Sequence, residues 1–290
     1  MEKEVADKEN NVYQNLLTFV LMNLCIGTHT FPWAFGAQDP LRRMTLEQLM
    51  DKAVEYGCFG IQIADNYPLH ELSKSQLSKL TQYSQDKGLR LEVGCRGLIK
   101  DQVLEYLLIA QKIGARFVRV VIDLYETFQP SKDQVIDIIK ELLPQFERAG
   151  IVLALENHDR FAAKELAEII QRTSDQWVGI CLDTANSIGA GEGINEVLSY
   201  LAKYTINLHI KDLVFNRLPH QMGFIIQGVV AGSGELDLPH IIAMVKQYGK
   251  LQSILVEVWS DPLAKEAATI EREARWAEES VCYLKGLLDN

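Results

Sequence analysis

The chain holds no paired cysteines. Its five, Cys25, Cys58, Cys95, Cys181 and Cys282, are odd in number and far apart, which excludes a disulfide framework and a zinc ribbon and reads as reduced thiols of a cytoplasmic protein. No apolar run is long enough to span a bilayer: Leu16 to Ile26 contains Asn23 and falls short of the roughly 20 residues a membrane helix needs. That stretch also lacks the basic flank and small-residue cleavage site of a signal peptide, so no membrane partner is expected. Basic clusters are equally scarce. The densest is Leu41-Arg42-Arg43, and a net charge of −10 repels phosphate backbones, so nucleic acid is not an expected partner. A glycine-rich dinucleotide loop is missing too, because the first apolar strand leads into Gly27-Thr28-His29-Thr30-Phe31-Pro32-Trp33.

What the 290 residues do contain is a regular alternation. Hydrophobic residues make up 48% and charged residues 23%, as in a globular protein. Eight short runs, most of them continuously apolar as buried parallel strands are, lie at Phe19–Ile26, Gly60–Ala64, Leu89–Gly94, Phe117–Ile122, Val152–Glu156, Val178–Leu182, Asn207–Ile210 and Ser253–Val258. Segments of helical period separate them: Leu46–Tyr56, Leu72–Lys87, Asp101–Ile113, Ser131–Ala149, Ala163–Arg172, Ile194–Tyr204, Leu238–Tyr248 and Leu263–Leu288. The first four of these are each followed by a glycine stop. Eight strand–helix units predict an α/β protein with a single (β/α)8 TIM barrel over residues 1–290, of which 1–15 are a polar tail. An open doubly wound sheet is the weaker reading.

Chemistry in such a barrel sits where the strands end. Strand five ends in Glu156, strand six in Asp183, strand seven carries His209, and strand eight reaches Glu257. Ionised carboxylates gathered away from water repel one another and lose solvation, and a divalent cation removes that penalty. Glu156, Asp183, His209 and Glu257 are therefore the expected ligands of one divalent metal ion, with manganese preferred and magnesium, cobalt or zinc as alternatives. Taken singly, each has an ordinary structural explanation. An acidic residue at a strand end caps a helix or pairs with a base, and a histidine in an apolar run is a satisfied core residue.

The segments Leu155-Glu156-Asn157, Leu182-Asp183-Thr184, His209-Ile210-Lys211-Asp212, Val256-Glu257-Val258-Trp259 and Gly232-Ser233-Gly234-Glu235-Leu236-Asp237 together resemble the sugar phosphate isomerase/epimerase family of xylose isomerase-like barrels. The resemblance implies a small sugar or keto-sugar as substrate, a homo-oligomer, and proton abstraction next to a carbonyl, with Glu156 and Glu257 as the catalytic pair. Two positions depart from the tagatose-type epimerases: Asn186 stands where they have a histidine and Ala162 where they have a glutamate. A dehydratase or lyase acting on a keto-sugar or inosose therefore stays open beside the isomerase or epimerase. The further histidines of an endonuclease IV-like nuclease are missing, and a sugar-binding protein without turnover is the remaining alternative.

Substrate contacts are expected from His158, Arg217, Lys211, Asn66, Glu92 and Trp33. Gln62, Asp65 and Arg96 also stand at or after strand ends, and Glu92 with Arg96 could equally form an ion pair. The segment between Lys211 and Asp237, long for a βα loop, is expected to be an ordered lid.

Overall fold

The computed structural model describes residues 23–158 and 160–289. Eight parallel strands close into a barrel: β1 (Leu24–Gly27), β2 (Gly60–Ile63), β3 (Arg90–Arg96), β4 (Phe117–Val121), β5 (Val152–Glu156), β6 (Val178–Asp183), β7 (Thr205–Ile210) and β10 (Ser253–Val256), with β10 lying between β7 and β1. The part of the first predicted strand before Asn23 lies outside the described residues, as does the polar tail.

The helices follow the strands in turn. After β1 comes a four-residue helix, α1 (Pro32–Phe35), and then α2 (Leu46–Glu55). Around the barrel follow α3 (Lys74–Asp86), α4 (Lys100–Ile113), α5 (Lys132–Ala149), α6 (Ala163–Gln171), α7 (Ile194–Leu201), α8 (Leu238–Lys246) and α9 (Glu266–Leu288). Their boundaries have chemical causes. Thr45, Ser73 and Ser131 each begin a helix in a reciprocal capping box with a glutamine three residues on. Gly114 and Gly150 end α4 and α5 in the left-handed conformation that a side chain would strain. Among the described residues no helix is long and apolar enough to cross a membrane.

The expected lid is a hairpin. Asp212–Arg217 (β8) pairs antiparallel with Phe224–Val229 (β9) outside the barrel. It is joined to the glycine-rich turn by the buried Asp212, whose carboxylate accepts the backbone N–H groups of Gly232 and Gly234, each at 2.9 Å.

The core lies mostly between the strands and the helices, and the barrel interior differs from it. Inward positions alternate with outward ones along each strand. Here they carry Gln62 and Glu92, Arg119, Cys181, Asn207 and Ser253, all buried. Gln62 of β2 reaches across the interior to Asn207 of β7, Nε2 to Oδ1 at 3.1 Å. Arg119 finds room to cross because its neighbour on β3 is Gly94, where a Cβ would stand 2.7 Å from the arginine Cδ.

Candidate active site

Glu156, Asp183, His209 and Glu257 come together at the C-terminal mouth of the barrel, at the ends of β5, β6 and β7 and just past β10, with 3, 1, 0 and 8% of their surfaces exposed. Register accounts for the convergence. Asp183 pairs with His209 across β6 and β7, and Leu255 pairs with His209 across β10 and β7, which brings Glu257 to the rim.

His209 Nδ1 and Glu257 Oε1 are buried, and so is Asp183 Oδ2, whose contact is the ammonium of Lys211 at 2.7 Å. His209 Nδ1 stands 3.0 Å from Glu257 Oε1, yet the two are not aligned for a hydrogen bond. Ligand atoms from Asp183, His209 and Glu257 all lie within 4.8 Å of one another. Two buried carboxylates and an imidazole gathered this closely are a donor set that fits a divalent cation.

Glu156 is placed differently. Its Oε2 is paired with the Arg119 guanidinium, and its Oε1 accepts from Asn186 Nδ2 at 3.0 Å. Arg119 also holds Asp65, Nη1 to Oδ1 at 2.7 Å. Burial alone would raise the Glu156 carboxyl, but Arg119, and then His209, outweigh it and keep the group ionised below its ordinary range. Each oxygen keeps a second lone pair, so Glu156 remains able to join a metal shell, and a ligand atom of it lies within 4.8 Å of His209 and Cys181.

Lys211 closes the other side. Its Nζ lies 2.7 Å from Asp183 Oδ2, 2.9 Å from Glu257 Oε2 and 3.3 Å from Asn186 Oδ1. Burial opposes the ammonium, while Asp183 and Glu257 raise its pKa above the usual lysine value. Reciprocally, Lys211 and His209 overcome burial at Glu257 and hold that carboxyl well below 4.5. For His209, burial works against the imidazolium and Glu257 more than restores it.

A cavity of 510 Å³ opens onto this cluster. Its polar lining includes His29, His158, Asn186, Lys211 and Glu257. Pro32, Ile188, Ile226, Val258 and Trp259 give it an apolar wall. Sugar sites combine such a wall with a few fixed polar groups.

The expected substrate contacts divide accordingly. His158 and Lys211 line the cavity. Trp33 does not: its Nε1 donates to the Ser260 carbonyl at 2.9 Å and its backbone N–H to Glu273 at 2.8 Å, and Trp259 supplies the aromatic wall instead. Asn66 is spent on the Thr28 carbonyl, at 3.0 Å. Glu92 lies inside the barrel, where Gln62 Nε2 donates to it at 3.1 Å. The Glu92–Arg96 pair does not form, because Arg96 binds Asp65 at 3.2 Å. Arg217 is exposed on the hairpin, its guanidinium 4.5 Å from the centre of the Phe224 ring and its Nη1 3.0 Å from the Gln221 carbonyl. It is not among the residues that line the cavity.

Sequence reasoning passed over Arg119, His29 and Asn207. The signal for Arg119 was present: a single charge inside the apolar run Phe117–Ile122 has to find a buried partner. His29 gave no comparable signal, since one histidine in a loop after a strand has many uses.

Known proteins agree with this architecture. The chain is 30% identical to a 3-oxo-isoapionate decarboxylase of Pectobacterium atrosepticum, in a match covering 91% of this chain and 95% of that one. The D-psicose 3-epimerase of Clostridium cellulolyticum, solved with D-tagatose, superposes with a TM-score of 0.71 at 16% identity, covering 92% of this chain and all (100%) of that one. A Mycobacterium smegmatis barrel solved in complex with magnesium gives 0.68 at 16% identity, covering 84% and 88%. With the family model for xylose isomerase-like TIM barrels matching residues 50–280 as well, the chain belongs to that family of barrels.

Proposed function

We propose that this protein is a divalent-metal-dependent lyase that removes carbon dioxide from a 3-oxo sugar acid such as 3-oxo-isoapionate. The observation that carries the reading is that both glutamates at the mouth are held ionised in ion pairs, Glu156 by Arg119 and Glu257 by Lys211. Epimerisation needs a base free to take a proton on one face and an acid to return it on the other. Loss of carbon dioxide needs no base. It needs positive charge where the electrons arrive and one proton afterwards.

In this reaction the C–C bond to the carboxylate breaks. Its electron pair moves toward the neighbouring carbonyl oxygen, and the carbon left behind takes up a proton. A cation held by Asp183, His209 and Glu257, with manganese our preferred ion, would supply Lewis-acid polarisation of that carbonyl. The chain's own contribution is the Lys211 ammonium at the cavity floor, fixed by Asp183, Glu257 and Asn186. Lys211 stabilises the developing oxyanion and is the nearest donor for the returning proton. His158 and His29 on the lining bind the polar substituents, and Trp259 covers the apolar face of the sugar. Asn186 orients both Glu156 and Lys211 in this arrangement, which gives the departure from the epimerase histidine a use. The identity to the decarboxylase across nearly all of both chains supports the same substrate class.

Isomerisation or epimerisation of a keto-sugar is the second reading. It is favoured by the delivery of Glu156 and Glu257 to one mouth from β5 and from beyond β10, and by the fold shared with a D-psicose 3-epimerase. Incubating the metal-loaded protein with 3-oxo-isoapionate in D2O separates the two. Carbon dioxide release with one deuterium in the product is expected. No release, together with deuterium entering an unbroken keto-sugar, would replace the lyase with the epimerase.

A further inference from the structure

A sugar acid brings a carboxylate to the mouth of the barrel, and none of the residues assigned above recognises it. We infer that Arg96, at the end of β3, is the specificity-determining residue that does, and that Arg96 under Tyr125 forms a subsite for a planar anion across the mouth from Lys211. For its ligand this subsite rests on the sugar-acid reading; for its existence it rests on geometry alone.

The Arg96 guanidinium is only partly engaged. Its Nε donates to Asp65 Oδ2 at 3.2 Å, and 17% of the side chain is exposed. Among the described residues its Nη1 and Nη2 have no hydrogen-bond partner, and neither is sealed from solvent. Those two nitrogens form one edge of the planar fork, the shape that meets a carboxylate in two parallel bonds. Asp65 is committed elsewhere with its other oxygen: Oδ1 accepts from Arg119 Nη1 at 2.7 Å and lies 3.5 Å from His29 Nε2. One carboxylate thus serves three donors, and the outer edge of Arg96 is left for an anion from outside.

Tyr125 covers a face of the guanidinium, its ring centre 5.0 Å away. It holds a φ of 48°, a left-handed conformation that is costly for a bulky residue and persists only where the surroundings impose it, as they do at ligand clamps. Here they do so from both sides. The Leu124 N–H donates to the Phe128 carbonyl at 2.9 Å, and Arg160 grips the same loop through Asp123 at 2.7 Å and the Pro130 carbonyl at 2.8 Å.

Strand order places the subsite. Around the closed barrel β3 stands four places from β7 in either direction, so Arg96 is opposite the strand that leads into Lys211. His29, which lines the cavity, meets the same Asp65 carboxylate as Arg96, which puts the subsite at the cavity edge. A 3-oxo acid laid across the mouth has its carbonyl toward Lys211 and its carboxylate toward Arg96, with the breaking C–C bond between them. The electron pair moves to the carbonyl oxygen and the carboxylate leaves as neutral carbon dioxide, so the Arg96 contact weakens along the reaction. Such a contact raises affinity for the substrate and not kcat.

The test uses two ligands that cannot lose carbon dioxide, the 3-hydroxy form of the acid and its primary amide. In titration calorimetry on the Mn2+-loaded full-length protein, the acid is expected to bind roughly 10- to 100-fold more tightly than the amide. Arg96→Leu should abolish that preference. Arg96→Lys keeps a cation beside Asp65 without the fork and should lose most of it, and this variant decides where the leucine one does not fold. With 3-oxo-isoapionate, Arg96→Leu should raise KM by a similar factor and leave kcat little changed, whereas damage to the fold would lower kcat. Acid and amide bound alike by the wild type overturn the inference, as does an undiminished preference in either folded variant. A wild type that prefers the acid through Arg96 yet releases no carbon dioxide upholds the subsite and removes the lyase reading. Release of carbon dioxide with KM unmoved in Arg96→Leu keeps the lyase and overturns the subsite.

Discussion

The Lys211 ammonium stands 2.7 Å from Asp183 Oδ2, so a fixed positive charge shares a carboxylate with the place where a metal ion fits. The two cations compete for the same negative charge. Lys211→Met is expected to bind Mn2+ several-fold more tightly and to lose at least 100-fold in decarboxylation, a loss of roughly 3 kcal/mol in transition-state stabilisation. Titration calorimetry beside a carbon dioxide assay checks both. Weaker metal binding in the variant would mean that Lys211 organises the ligands instead of opposing the ion.

Arg119 is buried between Asp65 and Glu156. Removing one partner of a buried ion pair strands the other charges, at about 3–5 kcal/mol. Arg119→Met should lose stability on that scale in denaturant unfolding, and Arg119→Lys should recover only part of it, since an ammonium cannot reproduce the planar fork. A loss below about 1 kcal/mol would show that Glu156 and Asp65 find other partners.

Ion binding should register as stability. A site filled at 100 times its Kd stabilises the folded chain by about 2.7 kcal/mol, so chelation should lower the Tm and added Mn2+, Mg2+, Co2+ or Zn2+ should raise it. In Asp183→Ala that response should vanish. Glu257→Gln, which keeps an oxygen ligand, should retain a weakened response. A metal-dependent Tm that survives in Asp183→Ala would move the site elsewhere.

Glu273 on α9 gives a pH dependence of its own. It accepts the backbone N–H groups of Trp33 at 2.8 Å and Ala34 at 3.0 Å, bracing the helix whose Pro32 lines the cavity. Burial is the main cause that pushes its carboxyl up to about 7, against the two N–H groups that lower it. A carboxyl whose folded pKa is raised contributes stability that is complete below its unfolded value near 4.5 and is lost as the pH rises through about 7. From the size of that shift, Glu273→Gln should lose stability relative to wild type at pH 5 and regain about 3 kcal/mol of the difference by pH 8. Parallel stability–pH curves for the two proteins would show that Glu273 does not titrate in this window.

The barrel could be read from the chain because its signals are local. Apolar runs of strand length, serine and threonine caps and glycine stops each act within a few residues, and the helix over Ser131–Ala149 shows all of this: Ser131 caps it and Gly150 ends it. The gathering of Glu156, Asp183, His209 and Glu257 followed from the same logic, since a parallel barrel brings the ends of successive strands to one mouth. What stayed hidden depends on long-range pairing. Nothing near Lys211 in the sequence says that it reaches Glu257 as well as Asp183, and nothing near Glu156 announces Arg119. Trp33 and Arg217 were misplaced for a related reason. Each carries a group suited to a sugar, but Ser260 and Glu273 claim Trp33 while Phe224 and Gln221 claim Arg217.

The hairpin of β8 and β9 presses Gly228 so closely onto Trp259 that a Cβ there would run into the tryptophan carbonyl, and Gln227 Nε2 ties the same strand to Asp261 at 2.9 Å. Ile226 and Trp259 thus form one braced ceiling over the cavity that Lys211 and Glu257 also line. Ancestral or engineered chains that lengthen the turn between Arg217 and Phe224 can raise or tilt that ceiling while the floor keeps its charges. Acceptance of larger or smaller sugars is expected to drift along this hairpin, with the reaction itself left alone.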